Sequence, residues 1–153
     1  MKKIVKTIFV IAIIGLHSCS PKLQPYSAEV NFLYKEATGT IAVKSTGYGK
    51  NRDAAITEAQ KNAFNIILFK GLPGTELSVP LVENEDEAKS KNGEYFKKFF
   101  EQGNYKTFMM SSTESSDLLN VKGGKKISVD VKINYSSLRK DLEQNQVIRK
   151  FGF

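Results

Sequence analysis

An α+β fold, two-layer, with helices on one face of a mainly antiparallel sheet, is predicted by three features of the sequence. Residues 125–135 alternate strictly: Ile127, Val129, Val131, Ile133 and Tyr135 share one face, and Lys126, Ser128, Asp130, Lys132 and Asn134 share the other. That is the signature of a strand with one buried and one wet side, as in an antiparallel sheet covered on a single face. A second alternating run, TIAVKSTGYG over 40–49, leads directly into a long alanine-rich stretch of helical periodicity. Third, the apolar fraction of 41% and the charged fraction of 25% are those of an ordinary globular domain.

The elements are expected in the order β-α-α-β-β-α. Within 20–38, Pro21 and Pro25 mark a tether, and AEVNFLYKEAT is either a short helix or an edge strand. In the strand over 40–49, Ile41 and Val43 share one face, with Thr40, Ala42 and Lys44 on the other. A helix follows over about 52–70, with Asn51 as N-cap and Asp53 in the first turn, where a carboxylate meets the positive end of the helix dipole. Ala55, Ala59 and Ala63 repeat on one stripe, small enough for the helix to lie close on the sheet, and Gly71 and Pro73 stop it. VENEDEAKSKN is an exposed loop or a frayed helix start. GEYFKKFFEQG is a short helix that turns Tyr95, Phe96, Phe99 and Phe100 inward and ends at Gly103. NYKTFMMSST, residues 104–113, is expected as a strand; residues 111–117 are polar and turn-like, with continued strand pairing through them as the alternative. VKGGKK supplies a hairpin turn before the cleanest strand. Ser136 is expected to cap a final helix through Leu138 and Leu142, with Arg139 and Glu143 paired at i,i+4.

Ahead of this domain stands a targeting segment. Lys2, Lys3 and Lys6 precede ten uncharged, mostly apolar residues, Thr7 to Leu16, too few to span a bilayer, which takes about 20. The segment closes on LHSC, residues 16–19, which resembles the lipobox of bacterial lipoproteins; His17 departs from its usual small or apolar residue. The resemblance implies cleavage after Ser18 and diacylglycerol on the Cys19 thiol. Cys19 is the single cysteine, so no internal disulfide competes for it. The expected organisation is a cleaved signal peptide over 1–18, a lipidated cysteine and tether over 19–38, and one domain over 39–153. Localisation would be the cell envelope, most simply the outer membrane, with a membrane partner reached through the lipid on Cys19.

Cleavage would lower the formal charge of +7 by the three leader lysines and remove His17, the single histidine. The remaining domain then has neither histidine nor free thiol, which excludes Ser-His-Asp and Cys-His catalysis and zinc sites built of His or Cys. Nucleic acid is a poor partner for an exported protein. No cofactor or metal is expected, nor catalysis.

The stretch STGYGKNRDAA, residues 45–55, has the look of a phosphate loop. A Walker A loop requires glycine where Lys44 stands and Ser or Thr where Asn51 stands, and a dinucleotide fingerprint requires a third glycine at Arg52. Both motifs fail. Gly47 and Gly49 then read as a tight strand-to-helix turn with positive φ. The remaining functional reading is an anion site of Gly47, Gly49, Lys50 and Arg52 at the helix N-terminus. GYGKNRDAAITEAQKNA, 47–63, resembles the strand, G-x-G turn and alanine-rich helix of small surface lipoproteins of Gram-negative bacteria. It is similar to the N-terminal domain of the flagellar assembly protein FlgT. KGLPG and INYSSLRKDLE also look like a small lipoprotein family. These resemblances imply an envelope-located α+β module, often a building block of assemblies, and no catalytic residues.

Three further features need weighing. Ser137 and Lys140 match S-x-x-K, yet the S-x-N and downstream K-T-G companions of acyl-serine enzymes are absent. Glu83, Glu85, Asp86 and Glu87 do not match the calcium loop pattern. Lys122, Lys125, Lys126, Lys132, Arg139, Lys140, Arg149 and Lys150 make the C-terminal part basic, suited to lipid headgroups or another anionic envelope polymer. The expectation is a non-catalytic interaction or assembly module that binds a protein partner or itself. The alternatives are an anion-binding module and a small hydrolase with a Ser-Lys or carboxylate site.

Overall fold

In the computed structural model, residues 29–150 are described; the leader, Cys19, Phe151 and Phe153 lie outside them. The chain forms an α+β domain. Strands β1 (Val30–Lys35) and β2 (Thr40–Gly49) precede helices α1 (Arg52–Phe69), α2 (Glu85–Lys91) and α3 (Gly93–Phe100). A 3-10 turn over Asn104–Phe108, strands β3 (Met109–Glu114), β4 (Leu119–Val121) and β5 (Gly124–Asn134), and helix α4 (Tyr135–Gln144) complete it. All pairings are antiparallel, in the order β1-β2-β5-β3. β4 pairs with the opening residues of β5, so β3 and β4 are successive pieces of one edge.

β2 and β5 form the centre, in register from Thr40 opposite Asn134 to Gly49 opposite Lys125. Ile41, Val43, Ile127, Val129, Val131 and Ile133 point to the helix layer and are fully buried. They meet the alanine stripe Ala55, Ala59 and Ala63 of α1 together with Phe64, Ile67 and Leu68. The alanines let α1 approach closely, and the Ser45 hydroxyl uses that closeness to donate to the Ala59 carbonyl at 2.7 Å. Phe96 and Phe99 from α3 and Leu138 and Leu142 from α4 close the same core.

Three of the four α-helices are capped by an asparagine side chain. Asn51 Oδ1 accepts from Ala54 N at 2.9 Å at the start of α1, and Asn84 Oδ1 accepts from Glu87 N at 3.1 Å at the start of α2. Of the two readings of VENEDEAKSKN, exposed loop or helix start, the helix is the one present, as α2. The final helix is capped by Asn134, not Ser136: its Oδ1 accepts from Ser137 N at 2.9 Å, so the last residue of β5 doubles as the cap.

Three boundaries are refined. Of the two forms open for AEVNFLYKEAT the edge strand is the one present, as β1, and its pairing with β2 places the start of the folded unit at Val30 or earlier, ahead of Gly39. Residues 104–108 form a 3-10 turn, not the start of a strand, because Tyr105 is drawn wholly into the core between Phe64 and Phe99. Pairing of the following strand begins at Met109 and runs on through Glu114, into what had the composition of a turn. Gly103, at φ +83°, redirects the chain between α3 and this turn.

Candidate functional site

The STGYGKNRDAA stretch, residues 45–55, is a packing device. Gly47 and Gly49 belong to β2 and do not have positive φ, contrary to the sequence expectation. Both face α1. A Cβ on Gly47 would lie 2.2 Å from the Ala55 carbonyl oxygen and 2.2 Å from Ala59 N; one on Gly49 would lie 2.4 Å from Ala55 N. The helix N-terminus is occupied by the Asn51 side chain. Arg52 is turned away to β3, where it forms a two-pronged pair with Glu114, Nε to Oε1 at 2.9 Å and Nη2 to Oε2. Lys50 is exposed beside it. Of the four residues of the expected anion site, two glycines serve close packing and Arg52 is engaged by a carboxylate 62 residues away.

The other motifs resolve similarly. Ser137 and Lys140 are exposed on the first turns of α4 and line no cleft. Glu85 pairs with Lys70 at 3.0 Å and Lys89 at 2.6 Å, and Glu87 pairs with Lys91 at 2.6 Å. Among the described residues no group of three or more His, Cys, Asp or Glu side chains is placed to hold a metal ion.

A shallow cleft of about 210 Å³ lies between α3, the 3-10 turn and α4, lined by Tyr95, Lys98, Phe99, Phe108, Asp141 and Asn145 among others. Its wall is a ladder of near-parallel rings: Tyr95 to Phe99 at 5.8 Å and Phe99 to Phe108 at 6.0 Å. The faces of Phe99 are thus occupied, and little apolar surface remains for a ligand. The Tyr95 hydroxyl donates to Asp141 Oδ2 at 2.8 Å. Burial first, and then this bond to a carboxylate, push the phenol well above its ordinary range. Folding therefore favours the protonated phenol. That contribution is complete below the unfolded value of about 10 and is lost as pH rises beyond it. Thermal melts across the alkaline range are expected to show falling stability above about pH 10, with a shallower decline in Tyr95→Phe. Tyr105 and Tyr135, raised mainly by burial, retain part of the slope. An identical decline in the variant would remove Tyr95 from this role.

The sheet face opposite the helices is only partly open: Thr40, Ala42 and Thr46 are buried on it, and the other residues of its two central strands are half-buried. β2 contributes Thr40, Ala42, Lys44, Thr46 and Tyr48, and β5 contributes Lys126, Ser128, Asp130, Lys132 and Asn134, directly opposite one another. Two lysines lie over tyrosine rings: Lys132 over Tyr34 at 5.5 Å and Lys126 over Tyr48 at 5.5 Å. Lys132 also reaches Glu36 Oε1 at 3.1 Å, and its bonds to the Tyr34 hydroxyl and to Glu36 hold its pKa above the ordinary lysine value. At the same end, irregular pairings interrupt β1 around Leu33 and β3 around Met110. These edge positions leave large apolar side chains in water: Leu33 40%, Tyr34 42% and Met110 59% exposed. Asp130 Oδ1, at the middle of the face, is buried with no hydrogen-bond partner among the described residues.

The alternation predicted this face as the wet side; for β2 that is corrected, because Thr40, Ala42 and Thr46 are buried on it as well. The sequence did not announce the bulges, since an extra residue in one strand shows only against its partner. Among the described residues no helix is long and apolar enough to cross a membrane. No protein-family model, curated protein or solved structure matches this chain.

Proposed function

We propose that this chain is a lipid-anchored envelope protein, held at the outer membrane through Cys19, whose domain is a non-catalytic interaction module. In this it would resemble the small surface lipoproteins and FlgT-type modules suggested by its strand-turn-helix segment. The observation that carries the reading is the pair of edge strands, β1 and β3, with Leu33, Tyr34 and Met110 exposed at their irregular pairings. Edge strands offer unpaired backbone groups to a partner strand, and clustered exposed apolar side chains mark contact surfaces.

The test places a photo-crosslinking residue at Tyr34 or at Met110 in intact cells, with Val79, 73% exposed and away from the sheet, as control. Discrete adducts from Tyr34 and Met110, to a second copy or to another envelope protein, with none from Val79, are expected. Equal labelling from all three positions, or none, would remove these edges as the working surface. Mass spectrometry of the processed protein tests the anchor separately: the expected result is a diacylglyceryl group on Cys19.

A further inference from the structure

The fold brings together two basic segments that lie far apart in sequence. Lys50 follows directly on β2, and Lys122, Lys125 and Lys126 belong to the β4–β5 hairpin. Gly49 pairs with Lys125 and Tyr48 with Lys126, while Leu119 lies opposite Lys126 on its other side. The contact is intimate: a Cβ on Gly124 would sit 2.3 Å from the Gly49 carbonyl oxygen and 3.6 Å from the Lys50 Cα. Lys50 and Lys122 are exposed, Lys125 and Lys126 half-buried, and Leu119 is 52% exposed among them. Arg52 at this end is neutralised by Glu114, and Asp117 is the acid in the neighbouring β3–β4 connection.

The described chain begins at this same end of the sheet. The Glu29 carbonyl accepts from Thr46 N at 2.9 Å, and Val30 pairs with Ser45. Thr46 lies three residues before Gly49, about 10 Å along the strand. From Cys19 to Glu29 the chain can span at most about 36 Å. Lipid on Cys19 would therefore pull on the end of the domain that carries the lysines, and would turn that end toward the bilayer.

We infer that the tip formed by Lys50, Leu119, Lys122, Lys125 and Lys126 docks on the anionic phosphate headgroups of the membrane that holds the anchor, so that Tyr34 and Met110, on the edge strands at the opposite end of the sheet, stand off from the surface in a set orientation. The inference rests on the anchored reading above and assigns it a second, electrostatic contact. Lysines near an anionic leaflet each strengthen attachment. Leu119 and the Tyr48 ring under Lys126 favour a bilayer over a soluble polyanion, because an apolar side chain among cations gains from the headgroup–acyl boundary and nothing from a solvated polymer.

The test uses the chain from Ser20 onward, which keeps every strand and helix and omits the leader and Cys19. Binding is measured by co-sedimentation with vesicles of phosphatidylglycerol and phosphatidylethanolamine, and with phosphatidylcholine alone. Binding to the anionic vesicles only is expected, fading as salt shortens the Debye length. Replacing all four lysines by glutamine should weaken it by at least about 100-fold. Leu119→Gln should weaken vesicle binding by about 5-fold or more while leaving binding to soluble polyphosphate unchanged. Circular dichroism verifies that each variant is folded. No binding, equal binding to phosphatidylcholine, indifference to the lysines, or a neutral Leu119→Gln would each overturn the inference. A bare Cys19 in cell-derived protein would instead overturn the anchor and leave the vesicle result standing.

Discussion

Alanine at Gly47 is expected to destabilise the domain by about 3 kcal/mol, at the upper end of the usual overpacking cost. The added methyl would lie 2.2 Å from both the Ala55 carbonyl oxygen and the Ala59 nitrogen, which are helix backbone. No rotamer change relieves such a contact; α1 as a whole has to lift from β2. Lifting it would also stretch the Ser45 to Ala59 hydrogen bond and part Ile41 and Val43 from the alanine stripe. The Tm of a domain of this size should fall by roughly 10 °C. Gly93→Ala is the matched control: a Cβ there has nothing within 4 Å, the residue lies at the start of α3, and φ is not positive. It should be neutral or slightly stabilising, since alanine loses less backbone entropy. If both variants melt together, Gly47 does not set the strand–helix distance.

Phe64→Ala is expected to cost about 3–5 kcal/mol, the usual range for deleting a fully buried aromatic. Phe64 is 0% exposed and meets Phe99 edge-on at 5.8 Å and Tyr105 at 5.3 Å. It joins α1, α3 and the 3-10 turn, so its loss opens a cavity bounded by three elements that cannot all collapse into it. With typical domain stabilities of about 5–15 kcal/mol, a large share of the folding free energy depends on this ring. Phe69→Ala should cost less. Phe69 is 6% exposed, packs against Phe96 and Phe100 toward the end of α1, and leaves a gap that water can enter. Urea unfolding of the two variants ranks them, and equal costs would show that the cluster has no centre at Phe64.

Where the sequence was legible, a local rule acted alone. Ile127 to Ile133 alternate because a strand shows its side chains to opposite faces, whatever lies beyond. Asn51 caps α1 through an oxygen three residues from the amide that it accepts from. The tracts that misled were those where a distant contact overrode a local preference. Tyr105 and Thr107 alternate like strand residues, but the pocket between Phe64 and Phe99 takes the tyrosine ring and winds 104–108 into a 3-10 turn. Ser136 has good cap chemistry, yet Asn134 already holds the amide of Ser137.

The same division runs through the functional residues. Their nature as glycines, lysines and an arginine near a helix start is plain in the chain, and so is the lone cysteine. Only long-range pairing decides what each one meets. The register of β2 with β5 turns Gly47 and Gly49 toward α1, sends Arg52 to Glu114, and sets Lys50 beside Lys125. Periodicity and capping operate within a turn or two of backbone and can be read in one dimension. Close approach, charge pairing and the gathering of like charges at one end of a sheet depend on distances between residues tens of positions apart, and those distances exist only once the chain has folded.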